Sequence, residues 1–490
     1  MRLKLGLLAV VCALAAAGCT GFDGGFEASG GYSGSGGDFG ATPGGVQDMG
    51  LARELIGKGR VPPAEAFNVE GMFSEHDLPL EGERCSTTLC LRGAMGIAPD
   101  EDEESSAWLQ VGFSSTIDPE TFQRPSLTIM ATVDISGSMT GTPLDVSKAM
   151  MHALIDELRP TDSFGIVTYG STSEVAFPVT PVTDVERLHA VVDGLSTDGS
   201  TNMEAGLRTA FGHLAATDGT TDLRRVWLFT DVQPNVGAST ASEFETIVGN
   251  AADEGIGLTV FGVGLGLGQQ VMIGMSHLRG GNAFSIFSAE DVEDLMAESW
   301  PWMACPIAYD LSMSVSPADG LTLAEAYGIP AADDSEDIGL EIASVFLSRK
   351  RGAILLRFLG VDGTPLSSDP HVELSLSYTS IDGESFVDRI VASVSAHELD
   401  DRGIASSQPS VRKTIALAVL VRAMRSAAEV YGDDQEAAVA IMERATTRIE
   451  ADAAALSDEA LETEVQLSRD LLALMQEGAE QGDLYSPSGY

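Results

Sequence analysis

Residues 127–138 read Leu127-Thr-Ile-Met-Ala-Thr-Val133-Asp134-Ile-Ser136-Gly-Ser138. A β-prone, largely apolar run stops abruptly on a carboxylate and two hydroxyls. A short continuous run of this kind is the pattern of a strand covered on both faces, as in a parallel sheet sandwiched by helices. The alternation continues downstream. Leu144–Leu158 has helical spacing, Phe164–Tyr169 and Glu174–Phe177 read as strands, and Asp184–Val192 and Asn202–Leu214 as helices. Arg225–Thr230 is a strand, Ser242–Glu254 a helix, Leu258–Val263 a strand, Gln270–His277 a short helix, Ala283–Phe287 a strand and Ala289–Ser299 a helix. Strands alternating with helices predict an α/β fold over residues 126–300: a doubly wound, mostly parallel sheet.

In such a sheet ligands sit at the carboxyl ends of the strands. Asp134, Ser136 and Ser138 fall there, at alternate positions. Gly199-Ser-Thr201-Asn opens the helix at Asn202, and Leu228-Phe-Thr-Asp231 closes a later strand. Together they supply hard oxygen donors of the kind Mg²⁺ requires, about six in near-octahedral array, some of them water. Asp-x-Ser-x-Ser alone also reads as a helix N-cap, because Asp and Ser favour caps. Thr201 and Asp231, in that order, tip the reading towards a metal.

The set resembles the metal-ion-dependent adhesion site of the von Willebrand factor type A domain family, and the resemblance covers residues 126–300. It implies that Ser136 and Ser138 bind a cation through their hydroxyls. Thr201 would bind directly or through water, and Asp134 and Asp231 through water or as acceptors that orient the hydroxyls. The cation would be Mg²⁺ (or Mn²⁺/Ca²⁺), with an open position for an Asp or Glu carboxylate of a protein ligand. Val232 follows Asp231 where the family usually has Gly.

Working outward, Arg2 and Lys4 precede an apolar stretch, Leu5–Ala17, too short to span a bilayer but suited to a signal peptide. Ala16-Ala17-Gly18-Cys19 resembles the lipobox of bacterial lipoproteins, which implies cleavage before Cys19, lipid on its thiol and membrane anchoring. Thr20 in place of Asp implies, by resemblance to enterobacterial sorting, the outer membrane. The chain as a whole is similar to bacterial lipoproteins that carry this domain, and Arg60-Val-Pro-Pro and Trp108-Leu-Gln-Val-Gly-Phe share that similarity. It implies an α/β domain inserted between two halves of one β domain.

The expected organisation is a signal peptide (1–18), a Gly/Ser-rich tether (19–50), an N-terminal β-rich segment (51–125) and the α/β domain (126–300). A β-sandwich-like domain (301–398) and a C-terminal helical region (399–490) follow. Within these, Leu51–Gly57 reads as a helix, and Leu89–Met95, Ala107–Ser114, Asp310–Val315, Ile354–Phe358 and Val372–Tyr378 as strands. Residues 409–480 have helical period, with Gly432 and Gly478 where helices should end and Ser457-Asp-Glu at a helix start.

Lys plus Arg number 28 against 73 Asp plus Glu, a formal net charge of −45. No basic cluster is present, which excludes an electrostatic nucleic-acid binder. No Gly-x-Ser-x-Gly or His-Glu-x-x-His occurs, and no His, Lys or Arg clamp adjoins the oxygen set, so no enzyme is expected. A metal-dependent hydrolase and a scaffold or assembly factor with a purely structural metal are the alternatives. Gly262-Val-Gly-Leu-Gly-Leu-Gly268 lacks nucleotide-binding spacing and reads as a loop. His152, His189, His213 and His277 are scattered through helical segments and read as solvated or core residues. Of five Cys, Cys12 leaves with the leader and Cys19 takes lipid. Cys85 and Cys90 can close a small loop, or Cys305 can pair with either and tie distant segments. The pairing carried forward is Cys85–Cys90, with Cys305 a buried thiol.

Overall fold

The computed structural model describes residues 39–43, 49–100, 104–117, 121–217, 223–231, 237–238, 240–263, 279–328, 338–348 and 352–482. The leader, Cys19, Val232 and the segment Gln270–His277 lie outside them.

The chain builds part of one domain, leaves to build a second, and returns. It begins with β1 (Phe39–Pro43), α1 (Gly50–Gly57) and α2 (Val69–Glu75), then the hairpin strands β2 (Cys90–Pro99) and β3 (Ser105–Ser115). The inserted unit follows: β4 (Leu127–Asp134), α3 (Thr142–Asp156), β5 (Ser163–Tyr169), β6 (Ser173–Pro181), α4 (Val185–Asp193) and α5 (Met203–Ala215). It continues with β7 (Leu223–Thr230), α6 (Ala241–Asp253), β8 (Ile256–Val263), β9 (Gly281–Ile286) and α7 (Ala289–Ser299). The return comprises β10 (Pro306–Pro317), β11 (Leu321–Tyr327), β12 (Ile338–Ser348), β13 (Ile354–Gly360), β14 (His371–Ser380), β15 (Ser385–Ser393) and β16 (Ala405–Ser406). Three helices close it: α8 (Pro409–Tyr431), α9 (Gln435–Leu456) and α10 (Glu459–Glu477).

The inserted unit is a six-stranded sheet of order β6-β5-β4-β7-β8-β9, parallel except for β6. Side chains of β4 alternate between its faces. Leu127, Ile129, Ala131 and Val133 meet the helices α3, α4 and α7. Met130, on the opposite face, meets α5 and α6. Both faces are covered, and β4 is buried along its whole length, with Thr128 and Thr132 beside Met130 on the α5–α6 face. Chain connections run from β4 to β5 on one side and reach β7 on the other, so the crevice between β4 and β7 is the topological switch point.

Residues 51–125 and 301–398, which composition separates, share a single ten-stranded antiparallel sheet. β3 pairs with β2, β1 and β13, and β1 bridges β3 to β12. The sheet curls so that β2 faces β14 and β15. At Gly93 a Cβ would come within 2.7 Å of the Leu374 Cδ1 and 3.0 Å of the Ile390 Cδ1, so a larger residue there would require those side chains to shift. Leu91, Leu109, Val111, Leu356, Leu374 and Leu376 fill the interior. The outer face of β2, β3 and β13 carries Trp108 and Leu355, covered by α1, α2 and the three C-terminal helices.

Two expectations are corrected. Phe39–Pro43 falls inside the expected tether 19–50 but is strand β1; pairing uses backbone groups and needs no apolar pattern, so a Gly-rich composition hides it. The boundaries drawn between the β-rich segments 51–125 and 301–398 do not separate units, because their strands interleave in one sheet; insertion of the α/β domain between two halves of one β domain, as the resemblance implies, is what the structure has. Cys85 and Cys90 are disulfide-bonded, and Cys305 is a buried free thiol. Gly478 ends α10 in a left-handed conformation, and Asp458, one residue past Ser457, caps α10 through Ala460 N–H. Among the described residues no helix is long and apolar enough to cross a membrane.

Candidate metal centre

Asp134 is the last residue of β4 and is wholly buried. Its carboxylate accepts from Ser136 N–H at 2.8 Å and from the Thr230 hydroxyl, at the end of β7, at 3.2 Å. The first bond folds the chain sharply, so that Ser136 and Ser138 return towards the strand end with their hydroxyls 3.0 Å apart. Ser136 is buried and Ser138 exposed, so the pair spans from the protein interior to solvent.

Backbone bonds lash the neighbouring loops to this turn. Ile135 N–H donates to Tyr169 C=O, Asp198 N–H to Ile135 C=O, Gly137 N–H to Gly199 C=O and Asn202 N–H to Gly170 C=O. Thr201, buried at 1% exposure, is thereby held beside the serine turn. Two glycines permit the lashing. Gly199 has φ of +86°, and at Gly170 a Cβ would lie 2.3 Å from Asp198 C=O. Asn202 caps α5 by accepting from Ala205 N–H, and Glu204 accepts from Ala238 N–H, tying the helix start to the chain beyond Asp231. Asp231, 5% exposed, directly follows β7. The structure therefore gathers Asp134, Ser136, Ser138, Thr201 and Asp231 at the carboxyl edge of the sheet, around the switch point.

Burial pushes the Asp134 carboxyl up to about 6, and the charge of Asp231 adds to the rise against the hydrogen bonds from Ser136 and Thr230. Tyr169, fully buried beneath them, has its phenol raised well above its ordinary value, by burial first and then by the Asp134 charge. Two acids close enough to repel, in a desolvated corner lined with hydroxyl oxygens, are what a divalent cation relieves. The donor set is all oxygen, which suits Mg²⁺, Mn²⁺ or Ca²⁺ rather than a soft metal. Among the described residues no group of three or more His, Cys, Asp or Glu is placed to hold an ion, so any cation here depends on the hydroxyls.

Sequence reading quoted Thr230 within Leu228-Phe-Thr-Asp231 without giving it a role, and missed Tyr169. Thr230 could have been found from its place beside Asp231 at a strand end. Tyr169 could not, because a Tyr closing an apolar strand looks like core. His152 and His189, read as scattered, are in contact.

A profile described as von Willebrand factor type A domain matches residues 129–233. The chain is 25% identical over 270 residues to the Escherichia coli (strain K12) protein named Uncharacterized protein YfbK, covering 54% of this chain and 47% of that one. It is 28% identical over 129 residues to inter-alpha-trypsin inhibitor heavy chain H1 of Bos taurus, covering 25% of this chain and 14% of that one. It spans less than half the length of these relatives. A solved structure, von Willebrand factor type A from Catenulispora acidiphila, covers 82% of this chain and 99% of its own, at 13% identity and a TM-score of 0.49.

Proposed function

From the von Willebrand factor type A domain that this chain carries, we infer a lipid-anchored protein of the bacterial envelope. It captures a protein ligand by sharing a divalent cation with an Asp or Glu of that ligand. Domains of this type serve in general as interaction modules and not as catalysts. The observation that carries the reading is the turn at the end of β4, where buried Asp134 accepts from Ser136 N–H and Thr230, the Ser136 and Ser138 hydroxyls lie 3.0 Å apart, and buried Asp231 directly follows β7, in a corner that opens to solvent at exposed Ser138. A cation there is the largest local charge and turns an acidic surface into a carboxylate receptor. Its coordination shell is completed by the partner's oxygen. No His stands beside the oxygen set in the sequence, and no Lys or Arg clamp for a transition-state anion adjoins it. Cys19 supplies the membrane attachment through a diacyl thioether, which holds more durably than a single acyl chain.

The experiment has two parts. Mn²⁺ is titrated into the mature chain and its free signal followed by electron paramagnetic resonance, in wild type, Ser136→Ala and Asp231→Ala. Uptake lost in both variants with native circular dichroism is the expected result. Envelope proteins retained on immobilised wild type should be released by chelator and not retained by Asp231→Ala. Retention that ignores both would assign the metal a structural role. Separately, Cys19→Ser should yield soluble or unprocessed protein, and normal processing with membrane retention would remove the anchor.

A further inference from the structure

Helix α3 carries His152 and Asp156, and helix α4 carries His189 and Asp193. Each His–Asp pair is spaced four residues apart, which sets both side chains on one face of its helix. The four cross between the helices. His152 Nε2 lies 3.1 Å from Asp193 Oδ1, and His189 Nε2 lies 2.9 Å from Asp156 Oδ1. The two Nδ1 atoms face each other at 2.6 Å, with ring centroids 4.8 Å apart.

The partners assign the ring protons. A carboxylate only accepts, so each Nε2 carries a hydrogen. A neutral imidazole has a single ring hydrogen, so both Nδ1 atoms then present bare lone pairs to each other. Two lone pairs in such contact repel unless a positive charge lies between them.

We propose that His152 and His189 bind a borderline divalent transition metal of the Zn²⁺ class through their Nδ1 atoms, with Asp156 and Asp193 as positioning residues. A ligating histidine characteristically gives its other ring N–H to a carboxylate, which fixes the tautomer and ring plane. Here that arrangement occurs twice, crosswise. Zn–N distances of about 2.0–2.1 Å place two tetrahedral ligand nitrogens roughly 3.3 Å apart, so the rings open by roughly 0.7 Å to admit the ion. The histidine side chains are 29% and 26% exposed, which gives the ion access and leaves the remaining positions to water or to a donor from outside. Imidazole prefers Zn²⁺, Ni²⁺ or Cu²⁺ to Mg²⁺. The site is thus chemically separate from the oxygen site at Asp134. It pins α3, which begins four residues after Ser138, to α4.

The mature chain, stripped by chelator, is titrated with Zn²⁺ against a chromophoric competitor in excess Mg²⁺. One equivalent should bind, and Co²⁺ in its place should show the visible bands of a tetrahedral nitrogen–oxygen site. His152→Ala and His189→Ala should each remove that uptake. Asp156→Ala should weaken it at least roughly tenfold. Ser136→Ala should leave it unchanged, so that failure of the oxygen site and failure of this one are distinguishable. Wild type that takes up neither Zn²⁺ nor Co²⁺ would overturn the proposal, whatever the variants do. Undiminished uptake in both His variants would overturn it equally.

Discussion

The Thr230 hydroxyl donates to the Asp134 carboxylate across two adjacent parallel strands, at 3.2 Å. It thereby couples the strand that ends in the serine turn to the strand that ends in Asp231. A hydrogen bond to a charged group contributes about 1.5–3 kcal/mol. Thr230→Val, which keeps the shape and removes the donor, should lower metal-free stability by about that amount and weaken Mn²⁺ uptake. Urea unfolding with and without Mn²⁺ measures both; an unchanged midpoint would show that Asp134 does not depend on this bond.

Gly206 of α5 lies against the buried Tyr169 ring, where a Cβ would stand 2.5 Å from the ring edge. Gly212, on the same helix, has nothing within 4 Å. Alanine at an exposed helix position stabilises by up to about 1 kcal/mol relative to glycine, whereas overpacking costs about 1–3 kcal/mol. Gly212→Ala should raise the melting temperature and Gly206→Ala should lower it, and Gly206→Ala should also reduce Mn²⁺ uptake by displacing the residue under Asp134. The same sign for both in differential scanning calorimetry would refute the packing argument.

Asp162, with no exposed surface, accepts from Leu127 N–H at 2.9 Å, Arg159 N–H at 2.7 Å and the Arg124 guanidinium at 3.0 Å. Burial pushes its carboxyl up, but the Arg124 bond and the two backbone N–H groups outweigh that and hold it below the ordinary carboxylate range. A lowered folded value means the contribution is complete above pH of about 4 and is lost as pH falls through the folded value. Asp162→Asn should cost about 3–5 kcal/mol at neutral pH, because it leaves Arg124 buried without its partner. The gap to wild type should narrow below pH of about 3. Urea midpoints across that range decide it; a gap constant with pH would mean Asp162 does not titrate between the two states.

The Cys85–Cys90 disulfide closes a short loop at the start of β2. Loop-closure entropy for so few residues gives about 2 kcal/mol. The double variant Cys85→Ser/Cys90→Ser should unfold that much more easily and remain folded. Peptide mapping without reduction should find this bridge and a free Cys305. A Cys305 crosslink would contradict it.

The inserted domain was legible because β4 ends its apolar run on Asp134 and because Thr201 and Asp231 occur in order behind it. What escaped was held together by something other than pattern. β1 is a backbone-paired strand in Gly-rich chain, and α2, β11, β12 and β15 are short or half-exposed and carry no clean period. The pairing of β3 with β13 depends on contacts more than 200 residues apart, which no local pattern of strand or helix encodes. His152 and His189 each look unremarkable on their own helices. Only the packing of α3 on α4 makes them a pair.

The interruption of one β domain by another domain also sets a timetable. Val111 of β3 pairs with Ile354 of β13, a separation of 243 residues (354 − 111). As the chain emerges from its N-terminus at about 5–20 residues per second, β3 is exposed for on the order of ten seconds or more before its partner exists. The inserted domain, whose strand neighbours all lie within its own span, can complete itself in that interval. A nascent chain halted after residue 300 would therefore present a finished α/β domain beside an open hairpin edge. That edge is the segment for which a holding chaperone has the most to do.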